Sequence, residues 1–176
     1  MIYETQKEPF VKWLLENPEY KSVLIFASTR EKVRQLGKDL IRAGLPVKAF
    51  HSDLEQAERE QILRNFKSRQ LRVLVGTDVL SRGIDVEGIS LVINYDAPPD
   101  PEDYVHRIGR TARAERSGTA ITLVNDKDRE KFARIEAFVG DGIQKKVLPE
   151  QFGSTPPFKN TPGKNFRSRE KRHYKK

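Results

Sequence analysis

Cysteine is absent from the 176 residues, which removes disulfides, thiolate nucleophiles, iron–sulfur clusters and Cys-based zinc sites together. Histidine is nearly as scarce, and His51, His106 and His173 are scattered too widely for a familiar metal-ligand spacing, so no metal site is expected. Long apolar runs are missing as well. With 33% of residues charged, no stretch approaches the ~18 apolar residues of a membrane span. The first ten residues, MIYETQKEPF, carry acids and lack the apolar segment of a signal peptide. A soluble, cytoplasmic protein is expected, and its chemistry must come from carboxylates, hydroxyls, guanidinium groups or a partner.

The length suits one domain with a sizeable core and is short for two. The net charge of +8 is unevenly spread. Residues 1–150 hold 25 basic and 24 acidic side chains, whereas residues 151–176 hold eight Lys and Arg against the single acid Glu170. The body is close to neutral and the tail carries the field.

From residue 22 to 138, short β-branched runs alternate with longer amphipathic ones, the pattern of strands joined by helical crossovers and hence of an α/β domain with a mostly parallel sheet. Strands are expected at VLIFA (23–27), VKAF (47–50), RVLVG (72–76), LVINY (91–95) and TAITLV (119–124). All are nearly continuously apolar, as strands covered on both faces are. One helix is expected after Thr29, its N-cap, with Val33, Leu36, Leu40 and Ile41 facing inward and Gly44 as the stop. A second buries Ile62, Leu63 and Phe66, and a last one buries Phe132, Ile135 and Phe138 before Gly140. An opening helix buries Phe10, Leu14 and Trp13. Beyond Pro149 the composition turns to proline, glycine and cations without periodicity, so residues 1–150 are expected to form the domain and 151–176 a disordered basic tail.

Three segments carry chemistry. In YVHRIGRTAR (104–113), a continued helix would put His106, Arg110 and Arg113 on one face. It would also stack Arg107, Arg110 and Arg113 on successive turns, at a cost of a few tenths of a kcal/mol per pair. Asp103 can pair with Arg107, but Arg110 and Arg113 have no carboxylate four residues before or three or four residues after them. Planar guanidinium groups in that position suit phosphate oxygens, or else a more distant salt-bridge network. In TDVLSRGIDV (77–86), Thr77 and Asp78 would stand at a strand end, where open α/β sheets bind ligands, and Gly83 would present Asp85. Alternatively Asp78 caps a short helix and Asp85 closes a turn. In HSDLEQAERE (51–60), Gln56 and Arg59 lie on one side of a helix start, a phosphate-favouring place, although an exposed Gln and Arg on an acidic helix are commonly just solvated.

In this order the segments resemble the C-terminal RecA-like domain of a DEAD-box ATP-dependent RNA helicase. VLIFAST (23–29), QAER (56–59), TDVLSRGIDV (77–86) and HRIGRTAR (106–113) match its successive motifs over about residues 20–125. The resemblance implies a RecA-like three-layer α/β sandwich. It implies that Arg110 and Arg113 are arginine fingers for the γ-phosphate of ATP bound to another domain, that Asp85 contacts the ribose, and that Arg82 holds that loop in register. His106 would face the partner domain, and Gln56, Arg59, Thr77 and Thr29 would contact the RNA sugar-phosphate backbone without reading sequence. Two positions depart from the pattern: Ser52 and Glu115 stand where glycine is usual.

No phosphate-binding G-x-x-x-x-G-K-[ST] loop and no D-E-A-D run is present. ATP and Mg²⁺ are therefore expected to be held mainly by an N-terminal RecA-like domain encoded upstream of Met1, and the 176 residues alone are expected not to hydrolyse ATP. A monomer is expected, with RNA and that domain as partners. The basic tail, interleaved with Phe158, Phe166 and Tyr174, is expected to hold RNA nonspecifically, the alternative being a solubilising end. A second reading of the whole is a non-enzymatic RNA-binding module on a RecA-like body.

Overall fold

A computed structural model describes residues 1–80, 86, 88–113 and 116–157, of which 112, 113, 116 and 117 are described by backbone alone. In chain order the elements are α1 (Glu4–Glu16), β1 (Val23–Phe26), α2 (Arg30–Arg42), β2 (Val47–Phe50), α3 (Gln56–Lys67), β3 (Val73–Gly76), β4 (Leu91–Asn94), α4 (Pro101–Ile108), β5 (Ala112–Arg113), β6 (Arg116–Ser117), β7 (Thr119–Thr122) and α5 (Arg129–Val139). The sheet runs β2-β3-β1-β4-β7 and every pair is parallel. All five expected strands form, each within two residues of its expected bounds.

Alternation along each strand divides the core. Val23, Ile25, Val73, Val75, Leu91 and Ile93 pack with α1 and α2 on one face. Leu24, Phe26, Leu74 and Val92 pack with Ile62 and Phe66 of α3 on the other. Helices on both faces leave no side of β1, β3 or β4 for water, which is why those strands read as unbroken apolar runs. A smaller cluster, Tyr104, Val124, Phe132 and Ile135, joins α4 to α5. This is the RecA-like three-layer arrangement.

The caps follow local chemistry. Thr29 Oγ1 accepts the Lys32 amide at 3.2 Å, closing the start of α2, and Gly44 ends it with φ +79°. Gly37, in the middle of α2, marks the contact with β2, since a Cβ there would lie 3.0 Å from Ala49 Cβ.

Three side chains expected inside lie outside. Ile41 is 53% exposed and Phe138 58% exposed: each sits at the margin of its helix's apolar stripe, whose buried residues are Val33, Leu36 and Leu40 in α2 and Phe132 and Ile135 in α5. Trp13 is 40% exposed and stacks on Phe10 at 5.6 Å. The opening helix starts at Glu4, six residues before the expected Phe10: Gln6 Oε1 accepts the Tyr3 amide at 2.9 Å at its start, and Pro9 is tolerated inside it.

The first residues of the expected tail are also ordered against the body. Phe152 meets Phe10 and Trp13 edge-on at 5.4 and 5.8 Å, Gln6 Nε2 donates to the carbonyls of Phe152 and Ser154, and Arg129 donates to the Pro157 carbonyl. Residues 152–157 thus touch the body, and the tail from residue 158 on lies outside the described residues. Among those described, no helix is long and apolar enough to cross a membrane.

Candidate functional site at the carboxyl edge of the sheet

Register puts the strand ends in one row. Phe50, Gly76, Phe26, Asn94 and Thr122 are successive partners across the sheet, so the residues that follow them, His51, Thr77, Ala27, Tyr95 and Leu123, emerge along one edge. A Cβ on Gly76 would overlap the Leu80 side chain, so glycine lets the chain turn back at the end of β3.

One half of this edge holds Thr29, His51, Gln56, Arg59 and Thr77. Thr29 and Gln56 are exposed, and Arg59 is half-buried. Gln56 opens α3 and donates to Glu60 Oε1 at 2.8 Å, one turn on. Arg59 Nε and His51 Nδ1 are buried without a hydrogen bond among the described residues, and His51 Nδ1 lies 4.0 Å from Asp53 Oδ2. Thr77 is nearly buried, its carbonyl accepting the Leu80 amide at 3.0 Å. Ser52, one of the two departures from the family pattern, accepts a 3.3 Å hydrogen bond from Arg30, which also pairs with Asp53. Glu115 lies outside the described residues.

The other half is built on α4. Asp100 caps it through the Glu102 amide at 2.8 Å, with Pro101 in the first turn. The helix stops at Ile108: Gly109 is its C-cap, and the Thr111 amide and hydroxyl both return to the Ile108 carbonyl, at 2.9 and 2.7 Å. The single helical face expected for His106, Arg110 and Arg113 therefore does not exist. His106 is exposed on the last turn, Arg110 lies half-buried just beyond it, and Arg113 belongs to β5, whose backbone pairs antiparallel with β6. The side chain of Arg113, and all of Arg82 and Asp85, lie outside the described residues.

Arg107, expected to make an ordinary salt bridge with Asp103, is instead the centre of this half. It is almost completely buried, its guanidinium 4.8 Å over the Phe26 ring and 3.4 Å from Asn94 Oδ1. Asn94 in turn donates to Thr122 Oγ1 at 3.1 Å. Burial lowers the Arg107 pKa, opposed first by Asp78 and then by Asp103 and Asp96. The signal was present in the sequence: Arg107 follows Tyr104 by three residues, on the stripe that also carries Ile108.

A second cluster joins the local pair Glu4 and Lys7 to residues far away in sequence. Lys7 Nζ is fully buried, 3.1 Å from Asp96 Oδ1, 3.1 Å from Glu4, 3.6 Å from Asp128 and 5.1 Å from the Tyr95 ring centroid. Lys32 reaches the same Asp96 oxygen at 2.6 Å, and the other oxygen accepts the Ser28 amide at 2.9 Å. Burial alone would raise the Asp96 pKa, but Lys32, Lys7 and Ser28 outweigh it and hold the carboxyl at about 2.

Cationic donors on one half and backbone-facing polar groups on the other fit a phosphate-rich ligand, or two such ligands side by side. Among the described residues no three His, Asp or Glu side chains could together hold a metal ion.

A five-stranded, all-parallel sheet with helices on both faces is the fold of a RecA-like α/β domain. A family model described as Helicase conserved C-terminal domain matches residues 6–115. The ATP-dependent rRNA helicase RRP3 of Encephalitozoon cuniculi is 43% identical over 142 residues, 80% of this chain and 36% of that protein. The ATP-dependent RNA helicase DbpA of Bacillus subtilis is 45% identical over 152 residues, 85% of this chain and 31% of that protein. Among solved structures, the E. coli DEAD-box protein SrmB bound to regulator of ribonuclease activity A superposes with a TM-score of 0.81 at 32% identity, covering 90% of this chain and 94% of that one. S. cerevisiae Dbp5 bound to RNA and ADP BeF3 gives 0.77 at 35% identity, covering 83% and 39%. The chain belongs to the helicase conserved C-terminal domain family, and its relatives are DEAD-box ATP-dependent RNA helicases. It spans about a third of the length of these two curated relatives.

Proposed function

We propose that the chain is the C-terminal half of a DEAD-box ATP-dependent RNA helicase, which closes with an N-terminal RecA-like domain on ATP and RNA. The reading rests above all on one observation: the groups expected to touch RNA and the α4 cations leave the same edge of one registered sheet. Each ligand can then be gripped only when the edge meets a partner surface.

In this mechanism Thr29, Gln56, Arg59 and Thr77 contact the RNA sugar-phosphate backbone, so binding tolerates any sequence. Arg110 and Arg113 reach the γ-phosphate of ATP, which, with Mg²⁺, is held mainly by the N-terminal domain. Asp85 accepts a ribose hydroxyl, Arg82 keeps its loop aligned with the fingers, and His106 faces the partner domain. The fingers stabilise charge that grows in the phosphoryl-transfer transition state, and their place beyond α4 makes turnover depend on closure. RNA gripped in the closed state is bent, and a short duplex loses base pairs locally.

The test is Arg113→Ala in the full-length protein. RNA-stimulated ATP hydrolysis should fall by about 10³-fold or more, with RNA affinity measured by fluorescence anisotropy essentially unchanged. Turnover at the wild-type rate contradicts the assignment. The alternative, a non-enzymatic RNA-binding module, predicts no RNA-stimulated hydrolysis in the full-length wild type either.

A further inference from the structure

We infer that Asp96 is a positioning residue that ties the RNA-side loop after β1 to the nucleotide-side helix α4, with Lys7 of α1 as its buried counter-charge; the inference rests on the function proposed above. Three observations carry it. Asp96 Oδ2 accepts the Ser28 amide at 2.9 Å, and Ser28 directly precedes Thr29, the N-cap of α2 and a candidate RNA contact. Asp96 also begins the segment Asp96-Ala97-Pro98-Pro99-Asp100-Pro101 that leads into α4. Three prolines with fixed φ leave that connection few ways to bend, and Ala97 and Pro98 are buried. A displacement of Ser28 therefore reaches the N-cap of α4, and through it His106, Arg107 and Arg110, along a short stiff path. Third, the carboxylate is held from several elements at once: Lys7 from α1 and Lys32 from α2 share Oδ1, while Asp128, just before α5, lies 3.6 Å from Lys7.

Two variants separate the tie from its counter-charge. Lys7→Met keeps the bonds of Asp96 to Ser28 and Lys32. Lys7→Met/Asp96→Leu removes the tie together with its counter-charge, so that no buried ammonium is left with only Glu4 and Asp128 to balance it. Lys32, 39% exposed, can turn to water. In the full-length protein, the double variant should raise the oligo(U) concentration that half-saturates ATP hydrolysis about tenfold, with turnover at saturating RNA within about threefold of wild type. Lys7→Met alone should stay within about twofold on both. In the 176-residue chain, backbone NMR should show the double variant shifting the amides of Ser28 and Thr29 together with those of His106 to Arg110, without any enzymatic readout. Shifts confined to one of the two sites, or an unchanged RNA requirement, would overturn the inference. Absence of ATP hydrolysis in the full-length wild type would count against the proposed function instead, leaving the NMR result to decide the tie.

Discussion

Asp96 and Arg107 show how single buried charges organise this domain. A carboxyl held at about 2 binds fewer protons in the folded state than in the unfolded chain, where its pKa is near 3.9. Its contribution to stability is therefore complete above about pH 4 and lost as pH falls through 2, amounting to about 2 kcal/mol. Urea unfolding of the wild type and Asp96→Asn, followed from pH 5 to pH 2, should show the wild type losing about that much more than the variant. Parallel pH profiles would mean that Asp96 is not stabilised by Lys7 and Lys32. The role of Asp96 could not be read locally, and that of Arg107 only from its place on the stripe of Tyr104 and Ile108. The partners of Asp96 lie 64 to 89 residues away in sequence, and Arg107 has a plausible salt-bridge partner one turn off that conceals its place over Phe26. Residue types at short spacing suggest pairs along a helix, whereas burial lets a charge choose partners from other elements.

Elements were legible wherever one pattern sufficed. Strands β1, β3 and β4 announce themselves because helices cover both their faces, and α2 because Thr29 and Gly44 punctuate it. Ends and margins were not: the chain after Ile108 turns through Gly109 and Thr111 where an uninterrupted cationic stripe suggested more helix, and Arg113 moved into a short strand. The same applies to α1, whose outer surface is finished by a segment that composition alone assigns to the tail. Arg72 fastens the other end of α1, donating to the carbonyls of Leu15, Asn17 and Tyr20 at 2.8 Å each. Trp13 is the sole tryptophan and touches Phe152, so it reports this docking. Truncation after Pro149 should expose it and shift its emission to longer wavelength, whereas truncation after Pro157 should not. Identical spectra for the two truncations would show that Phe152 does not cover it.

For the whole molecule, division of charge and division of labour coincide. The body is near neutral and carries the proposed ligand edge, whereas eight cations lie after residue 150, where unspecific contacts with RNA are expected. If all eight pair with phosphates of single-stranded RNA, the slope of log affinity against log salt gains at most about −6. Truncation after Pro157, which keeps the ordered segment on α1, should weaken RNA binding and flatten that slope; an unchanged slope would assign the tail to solubility alone. The family was legible because its motifs are strings of adjacent residues, whereas the contacts of Asp96 with Ser28, Lys7 and Lys32 exist only in the folded chain.

The central claim is that guanidinium groups just beyond α4 complete a reaction on a nucleotide held by another domain. It is tested most directly by RNA-stimulated ATP hydrolysis in full-length Arg110→Lys, which keeps the charge but loses the planar fork that spans phosphate oxygens. The expected result is a loss of about 10²-fold or more in turnover, with RNA affinity within about threefold of wild type. Turnover close to wild type would mean that Arg110 serves only as a charge on the surface of the fold.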